Sequence, residues 1–280
     1  MNWLFKKSKA LFWAILIVGM LIATAFCIDI TVEGRQILPP FGIAPLGFTW
    51  AIVSFVILYV LSSVVAGRYE RKLLRRIDAL LVDECDPYSC IAEYEKILPR
   101  STSNMRTYVL LELCGGYLSA GNAETAKKHL ETVTSFPKNK ARNASYRFVH
   151  HSNMLSFHIL TGDLDSAADH LEQMKEILDD GGNGLGEMTR GQLNSHYNSQ
   201  LYILNVANGV FEGAEEVFLK NLNEGTSRLS TVASRCRLGK VYLHYNRLDE
   251  AREAFEYVIE NGNKTHHVTE AKELLELINQ

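Results

Sequence analysis

The chain has 280 residues, a formal net charge of -3 and a hydrophobic content of 47%. This near balance of charge gives no sign of a basic surface for nucleic-acid binding, so no nucleic-acid partner is predicted, and the length suits one or two domains. The five cysteines are scattered and lack the spacing of a zinc or redox motif, which is typical of reduced thiols in a reducing compartment.

The first element is a charge-free run over residues 10–28. Lys6, Lys7 and Lys9 precede this run and Asp29 ends it. A membrane-spanning helix needs about 20 predominantly apolar residues, so the run is just long enough to cross a bilayer. We therefore predict a first transmembrane span over residues 10–28.

The second charge-free run extends from Gln36 to Gly67. Three prolines and a glycine before Leu46 would break a helix, so the predicted helix extends from about Leu46 to Ala66. A core helix of a soluble protein is the alternative, but two uninterrupted runs of this length argue against it. We predict a transmembrane helical hairpin, residues 1–67, with spans at about 10–28 and 46–66 in contact with membrane lipids.

The basic residues around the two spans predict the topology. The lysines before the first span and a group of basic residues from Arg68 to Arg76 bracket the hairpin, whereas the loop at residues 29–45 contains only Arg35. The positive-inside rule then places both termini in the cytoplasm. We predict an integral membrane protein, in the plasma membrane, with residues 68–280 on the cytoplasmic side.

A cleavable signal peptide is an open alternative for the first span. The lysines, a short apolar stretch and the triplet Ala23-Thr24-Ala25 also resemble such a signal. Cleavage would leave the second span crossing in the same direction, so residues 68–280 would still be cytoplasmic.

The sequence after Gly67 contains a repeated helical pattern. A turn residue is followed five positions later by a small residue and four positions after that by a large one. The pattern recurs about every 40 residues, which is typical of stacked helix pairs. The five copies are Cys85, Cys90 and Tyr94; Gly121, Ala126 and Leu130; Gly162, Ala167 and Leu171; Gly209, Ala214 and Phe218; and Asn246, Ala251 and Phe255.

Each position of the pattern has a physical role. Glycine or asparagine permits the positive φ that ends the first helix of a pair. The small residue lets the second helix approach the first closely, and the large residue fills the groove between neighbouring pairs. Because no single pair can bury its apolar face alone, several pairs must stack.

This pattern resembles the tetratricopeptide repeat family. The last copy has Leu238-Gly239, Tyr242, Ala251 and Phe255 at the family's Leu-Gly, Tyr, Ala and Phe positions, and the second copy matches at Leu113, Tyr117, Gly121 and Ala126. The middle copies keep only the turn and the small residue. The resemblance implies an all-α solenoid of about five helix pairs over residues 68–280, with an amphipathic capping helix at 268–278.

The resemblance also implies a protein or peptide partner, bound in the concave groove formed by the first helices of the pairs. Asn153, Gln200, Arg237 and Lys240 lie on the equivalent faces and are the predicted groove residues, solvated surface being the alternative. Some family members bind C-terminal carboxylates through Lys, Asn and Arg on these helices. The complete set is missing here, so we do not predict that specificity.

No catalytic residue, metal site or cofactor is predicted. His150-His151 with His158, and His266-His267, lack a carboxylate or cysteine at ligand spacing and are interpreted as helix-surface histidines. No arrangement of nucleophile and base stands out. Neither span contains an ionisable residue of the kind that transport needs. We therefore predict a protein that is not an enzyme.

The predicted function is that of a membrane-anchored scaffold or adaptor, which recruits a cytoplasmic protein or assists the assembly of a membrane complex. Two alternatives stay open. The layout of two N-terminal spans followed by repeats is similar to that of the HemY family and would imply a role in tetrapyrrole metabolism. An accessory subunit of a membrane enzyme or transport complex is the other alternative, and the oligomeric state is undetermined.

Overall fold

The computed structural model describes residues 10, 12–21, 31–32, 35–36, 44–101, 103–225 and 227–279. Side chains at 31–52, 54 and 103–104 lie outside this description. The regular secondary structure of the described residues is helical apart from one pair of two-residue strands, so the all-α prediction is confirmed for them. The chain divides into two compact units, residues 1–76 and 77–280, and the boundary falls inside one long helix.

The first unit contains a helical hairpin. Its elements are α1 (residues 12–21), β1 (Thr31–Val32), β2 (Arg35–Gln36), which pairs antiparallel with β1, and most of α2 (Ala44–Val82). The two helices are in contact at Gly19, where a Cβ would overlap the side chain of Leu58. Phe12 and Tyr59 also meet edge to face, with 5.6 Å between their ring centroids. A glycine at position 19 thus permits the close approach of the two helices.

The hairpin exposes many apolar side chains. In α1 these include Trp13, Ile17, Val18 and Leu21, and in α2 they include Val53, Phe55, Val56, Ile57, Val60, Leu61, Val64 and Val65. Soluble monomers rarely expose contiguous apolar patches larger than a few hundred Å². An apolar surface of this kind indicates contact with another molecule or with lipid.

Both predicted spans lie partly outside the described residues, the first at 22–28 and the second in its side chains at 46–52 and 54. Across the part of the chain that the structure describes, no helix has the length and apolarity that a membrane crossing needs.

The long helix extends beyond the predicted end of the second span. It continues through Gly67 because the arginines and lysines that follow are good helix formers, and it ends at Val82. The boundary between the two compact units follows Arg76, inside this helix.

The second unit consists of successive helices that pack in chain order. They are α3 (Pro87–Ile97), α4 (Ser103–Ser119), α5 (Ala123–Leu130), α6 (Lys140–Thr161), α7 (Leu164–Asp179), α8 (Glu187–Ala207), α9 (Ala214–Glu224), α10 (Arg228–His244), α11 (Leu248–Asn261) and α12 (His266–Ile278). Each helix from α3 onward packs directly against the next helix in the chain. First helices of neighbouring pairs also pack together, as α4 does with α6 and α6 with α8.

The predicted turn positions end the first helices as the pattern requires. Cys85, Gly121, Gly162, Gly209 and Asn246 all adopt positive φ, between 53° and 79°. In three copies the next residue caps the following helix, since a side-chain oxygen of Asp86, Asn122 or Asp163 accepts a hydrogen bond from the backbone N–H three residues on. Ending one helix and starting the next are therefore encoded by two adjacent residues.

The small and large positions of the pattern form the core between the helices. All five small residues, from Cys90 to Ala251, and all five large residues, from Tyr94 to Phe255, are buried. Packing is also very close at Gly239 of α10, where an added Cβ would lie 2.7 Å from Cζ of Phe255. The Phe255 ring thus explains why the last copy has a glycine, Gly239, at this position.

The two ends of the helical array are in contact. Asn263 Nδ2 donates a hydrogen bond of 2.8 Å to the carbonyl of Glu84, and Lys264 Nζ lies 2.6 Å from Asp86 Oδ2. Cys85 belongs to the same buried cluster as Phe255 of α11. The loop before α12 therefore contacts the turn between α2 and α3, and this contact joins the two ends of the array.

Candidate functional site

The first helices of the pairs surround a cavity of about 1000 Å³. Its lining comes mainly from α4, α6, α8, α10 and α12, and apolar side chains such as Leu118, Ile159, Ile203 and Leu243 form much of its wall. This volume is at the upper end of the roughly 300–1,000 Å³ typical of ligand sites. The cavity can therefore hold a peptide segment or a sizeable small molecule.

All four predicted groove residues line this cavity. Asn153 Nδ2 donates to the carbonyl of Leu111 at 3.0 Å, and Gln200 Nε2 donates to Ser152 Oγ at 3.1 Å. These two amides hold α6 against its neighbours. They are consequently committed to hydrogen bonds within the protein, although they border the cavity.

Arg237 differs from the other three groove residues. Considering only residues that the structure describes, its guanidinium forms no hydrogen bond and no ion pair. Burial lowers its pKa, but arginine stays charged in proteins. The Arg237 side chain lines the cavity and is partly exposed, so its charge is available for a charge-assisted hydrogen bond with an anionic ligand there.

Lys240, the fourth groove residue, forms an ion pair with Glu270 Oε1. The other oxygen of the same carboxylate, Oε2, lies 3.3 Å from Cys236 Sγ and 3.7 Å from His267 Nδ1. Donor atoms of Cys236, His267 and Glu270 all lie within 4.8 Å of one another. This set of thiol, imidazole and carboxylate could hold a metal ion.

The interpretation of His266 and His267 as surface histidines is wrong. Only 13% of the His267 side chain is exposed, and its Nδ1 is buried with no hydrogen-bond partner among the described residues. His266 Nδ1 lies 3.2 Å from the carbonyl of Ser119. The prediction failed because α12 turns both side chains toward the cavity, and because Cys236 comes from another helix. Glu270, one turn after His267, was the signal available in the sequence.

Electrostatics fixes the protonation states of this cluster. Burial raises the pKa of Glu270, but His267 and Lys240 outweigh burial and hold that pKa below its usual range. Burial lowers the pKa of His267 to about 3, and burial also raises the pKa of the Cys236 thiol. At neutral pH the carboxylate is therefore charged, while the imidazole and the thiol are neutral.

An acidic residue lies on the wall of the cavity formed by α4. Burial, with a smaller contribution from the charge of Asp78, raises the pKa of Glu112 to about 7. Asp78 itself accepts hydrogen bonds from the hydroxyls of Tyr94 and Tyr108, the latter at 3.1 Å. Because Glu112 titrates near neutrality, it can be uncharged when an anion occupies the cavity.

The histidines of α6 are not free surface groups either. His151 Nδ1 lies 3.1 Å from Nδ1 of His170 in α7, and His158 Nδ1 lies 3.1 Å from Asp163 Oδ2. The sequence interpretation missed His170, since only the packing of α7 on α6 brings it to this cluster. Within the described part of the chain these side chains do not form a metal-ligand group.

Comparison with known proteins does not identify a relative, since no family model, no curated protein and no solved structure matches the chain. The resemblance to tetratricopeptide repeats therefore stays a prediction based on the sequence pattern.

Proposed function

We propose that this protein is a membrane-anchored scaffold, whose tetratricopeptide-like domain binds a segment of a cytoplasmic partner protein in the cavity. The observation that carries the proposal is the guanidinium of Arg237, which lines a cavity with apolar walls and forms no hydrogen bond or ion pair with any residue that the structure describes. A cation held in this way is most stable when a ligand supplies a carboxylate, because arginine binds carboxylates through two parallel hydrogen bonds.

The chemistry of the lining indicates what kind of segment fits. Apolar side chains of a partner would be removed from water against residues such as Ile159 and Ile203, and an acidic side chain or a C-terminal carboxylate would pair with Arg237. Asn153 and Gln200 would shape the wall without being primary contacts, since each already has a partner in the protein. We therefore propose a partner segment that combines apolar residues with one carboxylate.

The membrane anchor is supported by sequence and surface together. Two charge-free runs, 10–28 and 46–66, are bracketed by basic residues, and the described side chains in them include many exposed apolar groups. Lipid would cover these groups at no cost in polar desolvation. The proposed location is the plasma membrane, with both termini and residues 68–280 in the cytoplasm.

The topology can be tested with reporters fused after Gln280. We expect activity from a reporter that works only in the cytoplasm and none from one that works only outside the cell. The matched control places the same reporters in the loop at Arg35, where the results should be reversed. Activity of the external reporter at the C-terminus would overturn the proposed location.

Partner binding can be tested by photo-crosslinking in intact membranes. A photoreactive residue at Leu160, which is exposed and borders the cavity, should give defined adducts with one cytoplasmic protein, whereas the same residue at the exposed Tyr88 of α3 should not. Arg237→Gln should reduce the Leu160 adducts about tenfold, since a charge-assisted hydrogen bond is lost. Arg252→Gln, at a surface ion pair, is the control.

Two results of this experiment would contradict the proposed function. One is adduct formation that is equal in the wild type and in Arg237→Gln. The other is the absence of adducts at every position that lines the cavity, including Leu160 and Ser156.

A HemY-like role in tetrapyrrole metabolism is the second candidate, because a haem is apolar and carries carboxylates. Arg237 and His196 both line the cavity, and they offer a cation and an imidazole to such a ligand. Titration of the purified protein with haem distinguishes the two candidates. A shift of the haem absorption that is lost in Arg237→Gln would favour the tetrapyrrole, and no shift would exclude it.

A further inference from the structure

We propose that Cys236, His267 and Glu270 form a binding site for a divalent metal ion of the Zn²⁺ type. The three donor atoms lie within 4.8 Å of one another, and they come from α10 and from successive turns of α12. Sulfur, nitrogen and carboxylate oxygen are the ligand set that Zn²⁺ prefers, in contrast to the all-oxygen sets of Mg²⁺ and Ca²⁺. The proposal does not require the partner proposed above, although His267 and Glu270 line the same cavity.

The distances fit a tetrahedral ion. Zinc lies about 2.3 Å from sulfur and about 2.0–2.2 Å from nitrogen and oxygen, so tetrahedral ligand atoms are about 3.3–3.6 Å apart. Glu270 Oε2 lies 3.3 Å from Cys236 Sγ and 3.7 Å from His267 Nδ1. An ion could therefore contact these donors after small side-chain rotations.

An unsatisfied buried atom points to the same ligand. His267 Nδ1 is inaccessible to water and has no hydrogen-bond partner among the described residues, and few buried polar atoms in native proteins lack one. At 3.7 Å, Glu270 Oε2 is too far away to serve as that partner. A metal ion would satisfy both the nitrogen and the carboxylate oxygen.

Lys240 would orient the metal ligand Glu270 without contacting the metal ion itself. It pairs with Glu270 Oε1, which leaves Oε2 directed at Cys236 and His267. Carboxylates that ligate metals are commonly held by a second hydrogen bond of this kind. The carboxylate is thus already oriented to coordinate through a single oxygen.

The three ligands leave a fourth coordination position open to the cavity, because His267 and Glu270 both line it. On binding, the metal replaces the proton of the Cys236 thiol, which is released to solvent, and the thiolate and Glu270 together balance the charge of the ion. Arg237 and Lys240 add positive charge nearby. The fourth ligand should accordingly be an anion, such as hydroxide or a carboxylate.

Cobalt provides a direct test, because Co²⁺ substitutes for Zn²⁺ and is coloured. Co²⁺ titrated into the purified full-length protein under reducing conditions should produce a thiolate-to-cobalt charge-transfer band and visible bands of a four-coordinate ion. One equivalent of Zn²⁺ should remove them. Cys236→Ser should abolish the charge-transfer band, while Cys114→Ser, at an equally buried thiol outside this cluster, should retain it.

A second variant keeps the test decisive if Cys236→Ser does not fold. His267→Gln, with folding checked by circular dichroism, should weaken Co²⁺ binding at least about tenfold. The proposal is overturned if wild-type protein shows no charge-transfer band with Co²⁺. It is equally overturned if the band persists in folded Cys236→Ser or if His267→Gln binds as tightly as the wild type.

Discussion

Replacing Phe255 with alanine is expected to lower the free energy of unfolding of the helical array by about 3–5 kcal/mol. The ring is fully buried in a cluster that contains Val258 of its own helix, Val232 and Cys236 of α10, and Cys85 of the first turn. Its loss would leave a cavity where the last helix pair meets the start of the array. Urea denaturation of the purified protein, followed by far-ultraviolet circular dichroism, measures the change.

Leu277→Ala is the matched control for Phe255→Ala. Leu277 lies in α12 with 60% of its surface exposed, so its truncation should change the free energy of unfolding by less than about 0.5 kcal/mol. Equal effects of the two substitutions would contradict the packing described for α10, α11 and α12.

The contact of Phe255 with Gly239 gives a sharper version of the same test. Alanine is the better helix former by about 1 kcal/mol, yet Gly239→Ala should destabilise the protein because its Cβ would overlap the ring. In the Phe255→Ala background the same substitution should be neutral or stabilising, since the ring is gone. If the two substitutions are instead strictly additive, Phe255 does not impose the glycine.

Lowering the pH from 7 to 5 is expected to destabilise the helical array by about 1–2 kcal/mol through His151 alone. Burial, followed by the neighbouring charges of His150, His170 and Arg147, lowers the pKa of His151 to about 4. The unfolded chain takes up a proton near pH 6.5 and the folded chain does not. The contribution of neutral His151 to the free energy of unfolding is therefore fully present above pH 6.5 and is lost as the pH falls toward 4.

The geometry of the histidine cluster explains the direction of this effect. His151 Nδ1 and His170 Nδ1 are 3.1 Å apart, so one nitrogen must donate and the other must accept. Protonation of both rings would place two N–H groups against each other. Burial also lowers the pKa values of His150 and His170, so both residues contribute with the same sign.

His151→Gln separates this contribution from those of other groups. The variant should lose about 1–2 kcal/mol less than the wild type between pH 7 and pH 5, as measured by urea denaturation at both values. His129→Gln is the control, because the His129 ring stacks on Tyr117 and lies outside the histidine cluster. A pH dependence that is the same in His151→Gln and in the wild type would refute the role of His151.

The sequence alone determined the local organisation of the helical array. Turn positions such as Gly121 and Asn246 were predictable because positive φ restricts the choice of residue, and the residue that follows a turn often caps the next helix. The buried small and large positions were predictable because they recur with the helical period. The four groove residues were predictable as a set because they share the first helices, and the structure places all of them on one cavity.

Tertiary structure decided the chemistry of the cavity and the closure of the array. The approach of Cys236 to His267 and Glu270, and of His151 to His170, depends on how neighbouring helices cross. The contact of Lys264 with Asp86 joins the two ends of the array and depends on the summed rotation of all the pairs. No local pattern encodes these distances, because they arise from packing angles between segments that are far apart in the chain.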